Sequence, residues 1–426
     1  MKYNSTLANQ TISGNGYVYA ENAQFNNVSV SGNTVYMMGT NVNGGSFGNV
    51  YSGYGVVDGE WATAANAKSV ISGNVTSGDW YNYGQLTVSE GATMKVGYYG
   101  DTASGSTTVN GTVEATTYRS YNGTVGANGK IVAGYVHLYG NANSQKHYEI
   151  AGTVTAKENL LIGFDSIYQG EWHIGGANTV VMVSGENAKL EALSDATIHA
   201  DDAGKKATLN VLNGGKVIVE GTLTNNGVIN VDRGTLTAVT IVNNGSITLN
   251  NATFNVTNLM GTGTLTMLGN SQVKDESGSS GVEVESIVVK TESNSVALSA
   301  SAGTIVFGGV QEVTESANTE ITLEANQGVV IAWHFDIEAG QSVTVETNIG
   351  AGFSTSEIQI FHKEDGASEW TNANVSDVAY DKETGKLSFK ANSFSSYAVA
   401  VPEPSMFGLF AGLGALLLVG TRRRRK

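Results

Sequence analysis

Thr222-Leu223-Thr224-Asn225-Asn226-Gly227-Val228-Ile229-Asn230-Val231 returns as Thr240-Ile241-Val242-Asn243-Asn244-Gly245-Ser246-Ile247-Thr248-Leu249, and the offset between them is 18 residues. The same step carries Gly245-Ser246-Ile247-Thr248-Leu249 onto Gly263-Thr264-Leu265-Thr266-Met267, and Gly234-Thr235-Leu236-Thr237 onto Ala252-Thr253-Phe254-Asn255. Short β-branched runs alternate with Gly or Asn turns within each step. Asn-Gly pairs also fit the hairpins of an antiparallel sheet or sandwich. A fixed repeat favours stacked coils, because equivalent residues then lie one above the next and bury a continuous core. An 18-residue step suits one turn of a right-handed parallel β-helix with two or three short strands per coil. The paired asparagines Asn225, Asn226, Asn243 and Asn244 are expected to stack as hydrogen-bonded ladders that satisfy turn amides.

The rest of the chain agrees with an almost all-β protein. It has 426 residues, 54 glycines, two prolines, no cysteine and only 14% charged residues. Such a chain is too apolar for disorder and too glycine-rich for a helical fold. The absence of cysteine excludes disulfides and thiol chemistry. The net charge is −15. Without the five basic residues Arg422 to Lys426, the body holds 38 acidic against 18 basic groups. That surface repels phosphate backbones and argues against nucleic acid as a partner.

The same grammar extends less regularly toward the N-terminus, as in Val28-Ser29-Val30-Ser31-Gly32-Asn33 and Gln85-Leu86-Thr87-Val88. Coils are expected from near residue 10 to about 270, with insertions around 100–150, giving a solenoid domain over 1–270. Trp61-Ala62-Thr63-Ala64-Ala65-Asn66-Ala67 is the one stretch before the tail that suggests a short helix. Asp275-Glu276-Ser277-Gly278-Ser279-Ser280-Gly281 is small, polar and linker-like, so 271–320 is read as a linker with irregular strands. From about 320 the strands lengthen and carry Trp333, Phe335, Phe353, Phe361 and Trp370. Asp381-Lys382-Glu383-Thr384-Gly385 marks a turn between two of them. A small antiparallel β-sandwich over 321–400 is expected.

Both prolines fall in Val401-Pro402-Glu403-Pro404-Ser405. An uncharged run from Met406 to Gly420 follows, with Met406, Phe407, Leu409, Phe410, Leu413, Leu416, Leu417, Leu418 and Val419 as its apolar residues, and then Arg422, Arg423, Arg424, Arg425 and Lys426. As a helix, these 15 residues rise by roughly 22 Å. A bilayer core is about 30 Å thick, so the run suits a transient span better than a permanent one. The basic cluster would stay on the cytoplasmic side and leave the body outside. An ordinary C-terminal anchor gives the same pattern, and the Gly408-x-x-x-Gly412 pair could pack such helices together.

The order Pro-Glu-Pro, short hydrophobic helix and arginine cluster resembles the PEP-CTERM sorting signal of Gram-negative bacteria, over residues 401–426. The resemblance implies recognition of Pro402, Glu403 and Pro404 by an exosortase, a membrane transpeptidase-like protease, and removal of the tail. It also implies an exported protein of the cell surface or exterior, in bacteria that make extracellular polysaccharide. The body resembles, in texture alone, the autotransporter-passenger-like β-solenoids that precede this tag. Such proteins begin with a secretory signal peptide, whereas Met1 to Gln10 holds no apolar core. The expectation is a start site further upstream, a truncated reading frame or another export route.

Candidate chemistry is sparse. Parallel β-helices include polysaccharide lyases and glycosidases, which need paired carboxylates or clustered acids beside a base. Up to residue 270 the arginines are Arg119 and Arg233, and the one adjacent acid pair, Asp201-Asp202, reads as a solvated turn. Asp165, Asp195 and Asp232 would converge only if coil register aligned them. His137, His147, His173, His199, His334 and His362 show no metal-ligand spacing. The expectation is therefore a structural or adhesin-like protein, not an enzyme, with no cofactor or metal. Polysaccharide binding or degradation is the alternative. The Tyr and Trp residues near 80–100, as in Trp80-Tyr81-Asn82-Tyr83 and Tyr98-Tyr99, either form a carbohydrate platform or fill the core. An aromatic row on one face would favour the platform.

Overall fold

The computed structural model describes residues 2–3, 6–57, 60–102, 104–139, 147–163, 179–200, 206–269, 271–274, 282–284, 286–291, 294–300, 305–323, 326–338, 342–392 and 395–402. These residues are nearly all β, with one α-helix at Thr314–Glu320. The chain divides into two compact units, Met1–Val282 and Glu283–Lys426.

In the first unit the 18-residue repeat becomes parallel pairing between successive coils. Ser246–Asn250 lies between Val228–Asp232 and Thr264–Leu268, so Ile229, Ile247 and Leu265 fall in one column. Thr235–Asn243 lies between Lys216–Asn225 and Thr253–Met260. Side chains alternate across a strand, and Ile247 and Leu249 are fully buried while their neighbours face out. In Thr235–Asn243 the alternation slips once. Leu236 and Ala238 point in, Val239 and Thr240 both point out, and Ile241 and Asn243 point in again. That slip bends the strand, so each coil offers three straight segments to a narrow core of Val, Ile, Leu and Ala.

The parallel stack is thus observed where the repeat indicated it, but its step varies. Thr93 pairs with Thr112 after 19 residues, and Thr112 with Lys130 after 18. Lys130 pairs with Thr153 after 23, Thr153 with Lys189 after 36, and Lys189 with Lys216 after 27. The expectation of insertions around 100–150 is corrected accordingly. Coils run in register from Thr93 to Leu138, and extra residues enter only after Leu138. The expected helix at Trp61–Ala67 is also corrected. Glu60–Thr63 is a strand paired antiparallel with Tyr54–Val57, because pairing of two extended segments outweighs the weak helix preference of a few alanines.

The second unit is antiparallel. One run of neighbours is Ser286–Lys290, Ser295–Ala300, Val343–Asn348, Lys386–Ala391 and Ser376–Tyr380. Another is Ile305–Glu312, Gln327–Glu338, Ser396–Pro402, Gln359–Lys363 and Thr371–Asn372. The helix drops Ala317 onto Val329, Ala332, Phe361, Ala398 and Ala400. The turn at Asp381 is as expected: its carboxylate accepts the Glu383 N–H at 2.9 Å and the Thr384 hydroxyl at 2.7 Å. Pro402 ends the strand Ser396–Pro402. Among the described residues no helix is long and apolar enough to cross a membrane. Glu403 to Lys426, with the expected helix and basic cluster, lie outside the described residues, as do Asp275 to Gly281.

Candidate functional site

Strand alternation decides what the tyrosines do. In Trp80-Tyr81-Asn82-Tyr83, Trp80 and Asn82 are fully buried, while Tyr81 and Tyr83 are half-buried and face outward. Tyr36, Tyr51 and Tyr81 are register partners on three neighbouring parallel strands. Their rings stack with centroids 5.3 and 4.9 Å apart and interplanar angles of 28° and 18°. On the next strand the column position is Gly100. A Cβ there would lie 2.7 Å from the Tyr98 ring. The missing side chain lets Tyr98 fold across and continue the stack, 5.4 Å from Tyr81.

Tyr54 and Tyr83, 5.2 Å apart, flank this column, and Tyr17 extends it, 5.6 Å from Tyr36. Arg119 takes the position after Gly100. Its guanidinium sits 5.2 Å above the Tyr139 ring and donates to the Tyr139 hydroxyl at 3.0 Å. His137 follows in register and contacts the same hydroxyl at 3.0 Å. At strand spacing, the seven rungs from Tyr19 to His137 cover roughly 29 Å. Burial, and then the neighbouring phenols, push the Tyr36 hydroxyl above its ordinary range; burial and then Asp79 do so for Tyr81. The column is therefore a row of neutral phenols.

Its geometry limits its chemistry. Sugars pack on aromatic faces, but in this stack each face is covered by the next ring. What faces solvent is the rim of each ring with its hydroxyl. Free faces belong to the most exposed tyrosines, Tyr17 at 62% and Tyr135 at 40% exposure.

Behind the column lies a polar corner that the sequence reading missed. Ser52, Asn82, Asp101 and Ser120 occupy one inward column on successive coils, and all four are buried. The Trp80 indole donates to Ser52 at 2.9 Å, and Ser52 donates to the Asn82 carbonyl oxygen at 2.9 Å. The Asn82 amide then donates to Asp101 Oδ1 at 2.7 Å. Tyr99 and Thr107 each donate to Oδ1 at 2.8 Å, and Ser120 donates to Oδ2 at 2.5 Å. Burial raises the Asp101 pKa, against the four hydrogen bonds that lower it. A second inward pair, Tyr118 and Tyr148, shares a hydrogen bond of 2.8 Å. A signal existed: Trp80-Tyr81-Asn82, Tyr99-Gly100-Asp101 and Tyr118-Arg119-Ser120 repeat an aromatic-x-polar triplet at steps of 19.

The nominated asparagines do form ladders. Asn225 donates to Asn243 at 2.8 Å, and Asn244 donates to Asn226 at 3.1 Å. Asn225 Oδ1 also accepts the Gly227 N–H at 3.1 Å. The nominated acids do not converge. Asp195 accepts the Thr222 N–H at 2.8 Å. Asp232 accepts from Asn250 at 3.1 Å and meets Arg233 at 3.3 Å. Asp165, Asp201, Asp202 and His173 lie outside the described residues. Among the described residues no three His, Cys, Asp or Glu side chains are grouped to hold a metal.

His362 Nε2 is 2.9 Å from Ser395 Oγ, which superficially suggests a nucleophile and its base. However, Ser395 donates its one proton to the Lys363 carbonyl at 2.7 Å. The imidazole is therefore the donor toward Ser395, and the pair clamps two strands. Burial lowers the His362 pKa, consistent with a neutral ring. His334 is 3.1 Å from Ser396 and 3.8 Å from Asp365. On the outer face of the coils, Lys95, Lys130 and Lys157 line a groove of about 380 Å3 over Val96, Ala115 and Val132, with Glu114 3.5 Å from Lys95.

Comparison with protein families, curated proteins and solved structures finds no match for this chain.

Proposed function

We propose that the chain is an exported structural or adhesin-like protein of the cell surface or extracellular space. In this reading the first unit is a right-handed parallel β-helix that serves as a stiff spacer. The antiparallel strands of the second unit form a small sandwich that joins it to a C-terminal sorting tag. An exosortase recognises Pro402, Glu403 and Pro404. The run Met406–Val419 holds the chain at the membrane until processing, and Arg422 to Lys426 stay on the cytoplasmic side. The observation that carries the reading is the in-register parallel stack, whose coils contact only their neighbours and so extend in one dimension. The test is fractionation of cells with and without the exosortase. Expected is a shorter, surface or released form in its presence and a longer, membrane-held form in its absence. Identical size and location in both strains would remove the sorting step.

A second reading, passive binding of extracellular polysaccharide, has two features in its favour: the outward tyrosine row and the lysine-lined groove in an otherwise acidic body. Retarded migration of the protein through a gel that contains an acidic polysaccharide, relieved by salt, would support the groove. Equal retardation by a neutral glycan would point to the tyrosine rims instead.

A further inference from the structure

We propose that the outward tyrosine column is an oxidative cross-linking site, at which hydrogen peroxide and a haem peroxidase join Tyr51 to Tyr81 and staple two neighbouring coils. The proposal is independent of where the chain is delivered. It rests on how the sheet holds these two rings.

Coupling of two phenols needs two ring-centred radicals close together, with the carbons ortho to each oxygen within reach. Tyr51 and Tyr81 are 30 residues apart in the chain yet direct register partners, stacked at 4.9 Å and 18°. Their backbones are fixed by parallel pairing on both sides. The flanking residues in each strand, Val50 and Ser52, Trp80 and Asn82, are buried, so each phenol root is anchored and its rim faces out. The ortho carbons and the hydroxyl form that rim. The covered faces that count against sugar stacking therefore leave the reactive edge open.

The surroundings favour coupling inside the molecule. Tyr36 and Tyr98 sit 5.3 and 5.4 Å beyond the pair, and Tyr83 lies 6.4 Å from Tyr51. An electron lost at any of these rings can be replaced from its neighbour, so a radical formed anywhere in the column has a partner beside it. The chain contains no cysteine, so no thiol competes for the oxidant. Each phenol gives up one electron and one proton. The two radicals form one carbon–carbon bond between ortho positions, and the ortho hydrogens return to the oxygens by tautomerisation. The two hydrogen atoms removed overall reduce one peroxide to two waters.

The test treats the dilute, full-length protein with hydrogen peroxide and a haem peroxidase. Expected are dityrosine fluorescence in the monomer fraction and a cross-linked peptide pair carrying Tyr51 and Tyr81, lighter by two hydrogens than its parts. Tyr81→Phe keeps the ring but cannot form a phenoxyl, and should abolish that peptide. Tyr51→Phe should do the same, with circular dichroism confirming that both variants keep their β content. Tyr135→Phe, outside the stack, should leave it unchanged. Cross-links confined to pairs of molecules, or an equal yield of the Tyr51–Tyr81 peptide from chain unfolded in urea, would overturn the proposal.

Discussion

The inward corner column is polar in two places, and the two places solve the same problem with different chemistry. At Asn225 and Asn243 the side chains are amides, which donate and accept. Each can pass a hydrogen bond to the next coil, as Asn225 does to Asn243, and the ladder has a direction. At Asp101 the side chain is a carboxylate, which only accepts when ionised. Asn82 donates to it from one coil and Ser120 from the other, so the ladder runs inward from both sides and stops. Between the two places the column is Leu138, Ile162 and Ile198, all buried. An aliphatic column therefore suffices for packing, and the polar sites do something else.

Removing the carboxylate should cost most. Asp101→Ala leaves the Asn82 amide and the Tyr99, Thr107 and Ser120 hydroxyls without their acceptor in a dry interior. At about 1–3 kcal/mol per orphaned buried group, less what hydroxyl rotation recovers, a loss of about 3 kcal/mol or more is expected in urea unfolding. A loss under about 1 kcal/mol would mean that water enters the corner and the network is not dry.

The amide ladder should break more gently. Asn225→Leu orphans the Gly227 N–H and the Asn243 oxygen, and about 2 kcal/mol is expected. Adding Asn243→Leu should cost less than the sum of the single changes, because the second removes a group that the first left unpaired. Strict additivity, measured in the same unfolding series, would show that the two amides do not act as a ladder.

The smallest effect sharpens the comparison by making the two places alike. Asp101→Asn restores a donor and should change neutral-pH stability by about 1 kcal/mol or less. Its pH dependence is the useful readout. Burial raises the Asp101 pKa in the folded protein, so the folded state binds the proton more tightly than the unfolded chain. The contribution of this group is therefore fully present below the unfolded value of 3.8 and is lost as pH rises through the folded value. Wild type should lose stability relative to Asp101→Asn across that window and run parallel to it above. A difference that is flat or opposite in sign would place the folded pKa at or below the ordinary one.

These contrasts also mark what the sequence made legible. The 18-residue repeat at Thr222 and Thr240 was enough for the parallel stack, and the duplicated Asn-Asn-Gly turns were enough for the amide ladder. The antiparallel second unit was legible from clean alternation such as Ser342 to Glu346. The tyrosine region was not, because one residue of phase separates a ring in the core from a ring in solvent. Trp80 and Tyr81, or Tyr98 and Tyr99, are chemical neighbours that end on opposite sides of the sheet. Asp101 stayed hidden for a related reason: composition assigns acids to the surface, and only the phase places this one inside. The step in this region is 18 or 19 residues by turns, which blurs a search for a fixed period. At Trp61 the local composition misled because Glu60–Thr63 gains a partner strand.

Gly100 shows how much one absent side chain can settle. Stacked coils with uniform aliphatic columns are interchangeable, and a growing stack could accept a neighbour displaced along the strand. Here the empty position receives the Tyr98 ring on the outside while the adjacent Asp101 gathers its donors on the inside, and both conditions are met in one alignment only. The coil acts as an indexing pin: folding that spreads from either end must agree on its registration at this point.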